Sequence, residues 1–294
     1  ASIEQARAVR AALRDDTDVV LAHRLHGALP VHLAGTLGPL PGCVVDLDDV
    51  EHLKFFRELM RPPFWPGKTL QFLQVPAIAW AERRIAARAA SMFVCSERDC
   101  RYLRRVLGIR NAEVVPNAVE VASMIERPLP AQRNCKILFL GTYSHRPNVE
   151  AAEFLVREVF PIVRQQMPNA ELELVGQRVE VLSTFSESHP GVSYLGFVAD
   201  LEPVFDGAGV MCCPILAGSG TRIKIIEAAA RGLPVVSTTV GAEGLDFENG
   251  AEILIRDDAA SLAQACLNLL ASPQESTRLA RAARAKTQRY DRRA

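Results

Sequence analysis

Short, continuously apolar runs recur along this chain at the spacing of buried strands, and stretches with helical periodicity separate them. Runs at 19–22, 43–45, 92–95 and 114–115 predict strands in the first half. Those at 136–140, 171–175, 192–195, 210–213, 235–237 and 252–255 predict six more in the second. Continuous apolarity, as opposed to strict alternation, marks strands covered on both faces. Helices are expected over 149–166, 201–206, 222–231 and 260–270. Strand and helix in alternation mean parallel sheets with helices on both sides, so the pattern predicts an α/β protein of two doubly wound domains. A helical pattern (Ile3, Ala6, Val9, Arg10, Leu13) opens the chain with no strand before it. The first domain is therefore expected to be incomplete at its N-terminus.

The boundary falls where neither period continues. Glu126-Arg127-Pro128-Leu129-Pro130 is polar and stiffened by proline, which predicts a first domain over 1–125, a linker over 126–134 and a second domain over 135–275. Residues 276–294 read as a C-terminal helix, with packing back on the first domain as one arrangement open to it. Arg61-Pro62-Pro63-Phe64-Trp65-Pro66-Gly67 is a second break in regular structure.

The sharpest chemical signal is the loop after the run at 210–213. Gly218-Ser219-Gly220-Thr221 lets the backbone turn tightly into a helix, and Arg222 and Lys224 add positive charge at its start. A helix start of this kind attracts phosphate, through free amides and the positive end of the helix dipole. Gly220, Lys224, Glu227 and Arg231 share one stripe of the helix. A sugar hydroxyl at Glu227 would lie roughly 10 Å from a phosphate at the helix start. The alternative is an ordinary surface ion pair between Lys224 and Glu227.

Composition narrows the partners. Across 294 residues, 34 Lys and Arg balance 34 Asp and Glu, so no overall field points to nucleic acid. Basic residues are clustered locally, at Arg83-Arg84, Arg88, Arg101, Arg104-Arg105 and from Arg278 to Arg293, where they either solvate helix faces or meet anionic lipid. Seven cysteines with no C-x-x-C pair argue against a disulfide framework or a zinc cluster and for a cytoplasmic setting. No apolar run reaches membrane-spanning length.

Several motifs in fixed order carry a resemblance. Phe139-Leu140-Gly141, Glu173-Leu174-Val175-Gly176, Tyr194-Leu195-Gly196-Phe197-Val198, Gly218 to Lys224, Glu227-Ala228 and Gly232-Leu233-Pro234-Val235-Val236 resemble the group 1 glycosyltransferases, over about residues 90–270. The first ninety residues match only loosely. The resemblance implies two Rossmann-like domains facing across a cleft, the GT-B fold, with a nucleotide diphosphate sugar held by the second domain and a glycan or lipid-linked acceptor by the first. It implies a retaining enzyme with no metal and no cofactor beyond its co-substrate. It places cell-surface polysaccharide or lipopolysaccharide synthesis at the cytoplasmic face of a membrane as the context, with peripheral membrane contact.

Residue by residue, the resemblance puts the ribose at Glu227 and the base at the backbone of Gly196, Phe197 and Val198, although Phe197 reads equally well as core. Gly141, Thr142, Gly218, Ser219, Gly220 and Thr221 line the donor. Three departures stand out. The family's paired carboxylates, eight residues apart, would need Glu at 219, where this chain has Ser219. Thr142 and Pro147 stand where the family has Arg and Lys facing the diphosphate. Its charge is then neutralised by Lys224 and Arg222, with Arg146 or His145 assisting. The same loop, Gly218-Ser219-Gly220-Thr221-Arg222 before Ile223-Lys224, marks a subset of the family. On the acceptor side, His23, Asp48 and Asp49 follow predicted strands, Asp48 near the place where relatives present a His. A structural role for His23 stays open. Asp46-Leu47-Asp48 spells a metal-binding D-x-D of a different fold, made redundant here by the basic helix start. Two other readings remain: a nucleotide-sugar epimerase or hydrolase, and a silent sugar-nucleotide-binding protein.

Overall fold

The computed structural model describes residues 1–121, 124, 134–218 and 220–293. Residues 126–133 of the linker expected over 126–134, and Ser219, lie outside the described residues. Contacts divide the chain into two units, one of Ala1–Pro116 with Gly218–Thr221, the other of Asn117–Ala217 with Arg222–Ala294.

The first unit carries a parallel sheet in the order β1 (Val19–His23), β2 (Gly42–Asp48), β3 (Ser91–Val94), β4 (Ala112–Val114). Its helices are α1 (Ile3–Ala12), α2 (Arg24–Ala34), α3 (Glu51–Leu59), α4 (Pro66–Gln71), α5 (Gln74–Ala86) and α6 (Glu97–Arg105). Ser2 closes a capping box with Gln5 at the start of α1, and Ser96 caps α6 through the Asp99 amide. Val45, Leu47, Met92, Val94 and Leu103 form its core.

The second unit has six parallel strands in the order β10-β9-β8-β5-β6-β7. These are β5 (Lys136–Leu140), β6 (Glu171–Val175), β7 (Val192–Gly196), β8 (Val210–Cys213), β9 (Val235–Ser237) and β10 (Leu254–Ile255). Its helices are α7 (Arg146–Phe154), α8 (Phe160–Gln166), α9 (Glu202–Gly207), α10 (Ile223–Ala230), α11 (Ala259–Ala271) and α12 (Pro273–Lys286). The helix expected over 149–166 starts earlier, at Arg146, and Leu155–Val159 winds as a π-helix between α7 and α8. Helix α12 packs on α10 and α11. Val119 and Val121 are buried in the second core, and Val119 bridges Asp291, which explains why this unit begins before the proline-rich stretch.

Both sheets are parallel and interleaved with helices, two Rossmann-like layers of the kind the alternation predicted. Strand order in the second unit reverses at β5, which lies between β6 and β8. Open α/β sheets bind ligands beside the carboxyl ends of their strands at such a reversal. The loops after β5 and β8 flank it.

Candidate active site

At the carboxyl edge of the second sheet three glycine-bearing loops are tied together by backbone bonds. Gly141 N–H donates to Val175 O at 2.9 Å, Gly176 N–H to Gly196 O at 2.7 Å, and Tyr143 N–H to Gln177 O at 2.9 Å. Gly176 has φ +141°, and a Cβ there would lie 1.7 Å from the Gly141 carbonyl oxygen. Only glycine fits that approach.

After β8, Gly218 and Gly220 both take positive φ (116° and 78°), and α10 then begins at Ile223 with Arg222 in the N-cap position. Two buried faces anchor the helix: Ile225, Ile226, Ala228, Ala229 and Ala230 are all in the core. Lys224 turns inward across the strand-order reversal. Its ammonium donates to the Leu140 carbonyl and to Asn148 Oδ1 (2.8 Å), and stands 4.6 Å from the Phe139 ring centre. Burial disfavours its charged form and lowers its pKa to about 8. Neighbouring Arg222 pushes the same way, and Glu227 opposes it.

One turn further, the half-buried Glu227 carboxylate makes no hydrogen bond or ion pair among the described residues, and burial raises its pKa. The surface ion pair between Lys224 and Glu227 is therefore absent, because Lys224 is drawn to the end of β5 and the start of α7, where two of its three N–H groups are bonded. The stripe is also shorter than the periodicity predicts. Arg231 leaves it for Glu202 (2.9 Å) and lies 4.4 Å from the centre of the Phe205 ring.

The remaining donor candidates sit along the same edge. Thr142 is exposed and its carbonyl accepts from Asn148 Nδ2 at 3.0 Å. Arg146 is exposed and paired with Glu150 at 2.8 Å, an i,i+4 bond on α7. Gly196 ends β7 with φ +61°. Phe197 is 69% exposed, which removes the core reading for it, while Val198 packs partly against the second core.

In the first unit the strand ends gather charge. His23 Nδ1 lies 3.0 Å from Asp46 Oδ2, and Arg24 Nη2 donates to Asp48 Oδ2 at 2.8 Å. Arg24 and Asp48 both hold left-handed backbone, φ 59° and 61°, a conformation that costs on the order of 1 kcal/mol or more for a non-glycine residue. Asp49 is buried, with Oδ1 unpartnered and Oδ2 3.5 Å from Lys54 Nζ. The two outer residues of the D-x-D are thus paired with His23 and Arg24, and no group of three or more His, Cys, Asp or Glu is gathered for a metal among the described residues.

Sequence reasoning missed Arg24, Asn148 and a buried network of His52, Glu82 and Tyr102. Glu82 accepts from His52 Nδ1, and His52 Nε2 faces the Tyr102 hydroxyl at 2.8 Å. Spacing gave no signal for these, since the partners are 30 and 50 residues apart. Asn148 alone had a local cue, its place in the first turn of a helix after a glycine loop.

Known proteins bear on these residues. The family model described as "Glycosyl transferases group 1" matches residues 134–272. An uncharacterised 44.6 kDa protein in the cps region of Klebsiella pneumoniae is 26% identical over 46% of this chain and 37% of its own length. A phosphatidyl-myo-inositol mannosyltransferase of Mycolicibacterium smegmatis is 28% identical over 62% of this chain and 48% of its own length. The chain thus spans half or less of these two curated relatives. HepE of Anabaena, in its crystal structure with UDP-glucose, superposes with a TM-score of 0.72 at 18% identity, over 98% of this chain and 78% of that one. Residues 134–272 thus resemble the group 1 glycosyl transferases, within a chain whose two parallel sheets have the GT-B fold.

Proposed function

We propose that this chain transfers a sugar from a nucleotide diphosphate sugar to a glycan or lipid-linked acceptor, without a metal and with retention of anomeric configuration. The observation that carries this reading is the pairing on α10 of an enclosed ammonium with an uncommitted carboxylate one turn away, at the strand-order reversal. Lys224, aided by Arg222, stabilises the departing diphosphate, and Glu227 accepts from the ribose. HepE, bound to UDP-glucose, supports a uridine diphosphate sugar as the donor. Gly218–Thr221, including Ser219, cradle the phosphates, and Gly141, Thr142, Arg146, Gly196, Phe197 and Val198 border the donor. In the first unit His23, Asp48 and Asp49 face the acceptor.

The relative named for phosphatidyl-myo-inositol supports a lipid-linked acceptor, and the surface of the first unit supports peripheral contact with a cytoplasmic membrane face. Both tryptophans are exposed, Trp65 by 49% and Trp80 by 62%. Leu73, Ala77, Trp80 and Arg84 form one exposed stripe along α5. Residues 54–88 hold seven Lys or Arg and two Glu in a chain of zero net charge. No helix among the described residues is long and apolar enough to cross a membrane.

The test combines UDP binding, transfer and product stereochemistry in EDTA. Glu227→Ala should weaken UDP affinity by about tenfold or more, as expected for lost hydrogen bonds to a charged group. Lys224→Ala should cut turnover by about 10²-fold or more. Wild-type values in both variants overturn the site, and transfer that requires a divalent cation overturns metal independence.

A further inference from the structure

Lys224 is a three-donor group with two acceptors on the protein. The Leu140 carbonyl takes one N–H and Asn148 Oδ1 takes another, while the third has no partner among the described residues. Asn148 sits in the first turn of α7 and uses both ends of its amide, since Nδ2 donates to the Thr142 carbonyl at 3.0 Å. The amide cannot be reversed. A flip would set NH2 against the ammonium and C=O against the Thr142 carbonyl, losing both bonds. The side chain therefore joins three parts of the strand-order reversal: α10 through Lys224, the loop after β5 through Thr142, and its own helix. Gly141 leaves room for it, because a Cβ there would come within 3.2 Å of the Asn148 Cβ.

We propose that Asn148 is a positioning residue for donor binding: it holds the Lys224 ammonium against the loop after β5 so that the third N–H is directed outward to the donor diphosphate. This rests on the reading of Lys224 as the diphosphate-binding cation. An amide suits the task better than a carboxylate. It accepts from the ammonium without adding a negative charge that a diphosphate would meet. The groups acting on Lys224 come from each element around it: Asn148 from α7, Phe139 and the Leu140 carbonyl from β5, Cys213 from β8, and Arg222 and Glu227 at and within α10. Of these only Asn148 is a side chain that both bonds the ammonium and bonds the loop.

The experiment follows two quantities across pH 6.5–10 in wild type and in Asn148→Ala, Asn148→Ser and Asn148→Asp: UDP affinity by calorimetry, and the Lys224 side-chain titration by carbon-13 NMR of the free protein. In wild type, UDP affinity should fall as pH rises past about 8, where the free ammonium loses its proton. Asn148→Ala removes an acceptor that favours the charged form, so the titration should move down, with UDP affinity at pH 7 reduced by about tenfold. Asn148→Asp should move the titration up by about one pH unit while still weakening UDP binding, through like charge. Asn148→Ser, which keeps an oxygen, should fall between wild type and Asn148→Ala. A purely structural asparagine would lower thermal stability and leave the titration in place. An unmoved Lys224 titration in Asn148→Ala and Asn148→Asp therefore overturns the inference. If Lys224→Ala and wild type bind UDP equally, the donor reading itself falls, and the NMR arm still decides whether Asn148 controls the ammonium. If Lys224→Ala loses UDP while every Asn148 variant keeps wild-type affinity, the donor reading stands and the positioning role is overturned.

Discussion

The two units use one construction scheme and spend their polar residues differently. In the second, strands β5 and β8 are buried along almost their whole length, and the candidate site groups sit on backbone loops and one helix at the sheet's carboxyl edge. In the first, β1 exposes Val19 and Leu21, and the sheet's carboxyl edge carries ion pairs, with two residues held in left-handed backbone. Under the proposed function, a nucleotide diphosphate presents a fixed phosphate geometry that backbone amides with one cation suffice to meet. On the same proposal, side-chain pairs such as His23 with Asp46 or Arg24 with Asp48 are the part of the fold that can change with the acceptor. The family match covers residues 134–272.

The largest effect should come from the glycine contact that joins the second unit's loops. Gly176→Ala forces a methyl onto the Gly141 carbonyl and should cost more than about 3 kcal/mol, read as loss of the second unit's denaturant transition or of soluble protein. In the first unit, Gly27→Ala is its counterpart in reverse. Nothing lies within 4 Å of the added Cβ in helix α2, so it should stabilise by about 0.5–1 kcal/mol. A destabilising result there would break the comparison, since both predictions rest on the same steric reasoning.

Next in size is the first unit's buried pair. Glu82→Ala leaves buried His52 Nδ1 without its carboxylate partner and should cost about 3 kcal/mol, measured by chemical denaturation. Hydrogen exchange should show the loss in α3, α5 and α6 and spare β5 to β9. Spread of the loss into those strands would mean that the cores are not independent.

Lys224 sets a pH dependence that the first unit should not share. Its ammonium is charged well below about pH 8 and neutral well above it, so UDP affinity should be flat at acid pH and decline through that value. Acceptor affinity, if His23, Asp48 and Asp49 hold it, should show no break there. The smallest expected effect is Tyr143→Phe. The Tyr143 hydroxyl is buried with no hydrogen-bond partner, which pushes its pKa up, so its removal should be neutral or stabilise by up to about 1 kcal/mol. A loss above that range would reveal a partner for the hydroxyl.

The second unit's strands were readable because each is an uninterrupted apolar run bounded by glycine or proline, as in Lys136–Leu140 before Gly141 and Val210–Cys213 before Pro214. The tight turn at Gly218 and Gly220 ahead of α10 was readable because paired glycines before a helix mark positive-φ backbone. Strand β10 shrank to Leu254–Ile255, and β4 was displaced to Ala112–Val114, where too few residues carry a period. The polar stripe on α10 was predicted as one face and proved to be three separate environments: Lys224 turned to β5, Glu227 left unpaired, Arg231 drawn to Glu202 and Phe205.

The amino-acid order by itself determined the alternation of strand and helix, the doubly wound class of both units and the glycine turn before α10, because periodicity and glycine placement are local properties. The tertiary structure decided which polar groups meet. Asn148 and Lys224 are 76 residues apart, and Glu82 and His52 are 30 apart. Both pairs form only when parallel strands bring distant loops or helices side by side, a long-range arrangement that no local pattern encodes.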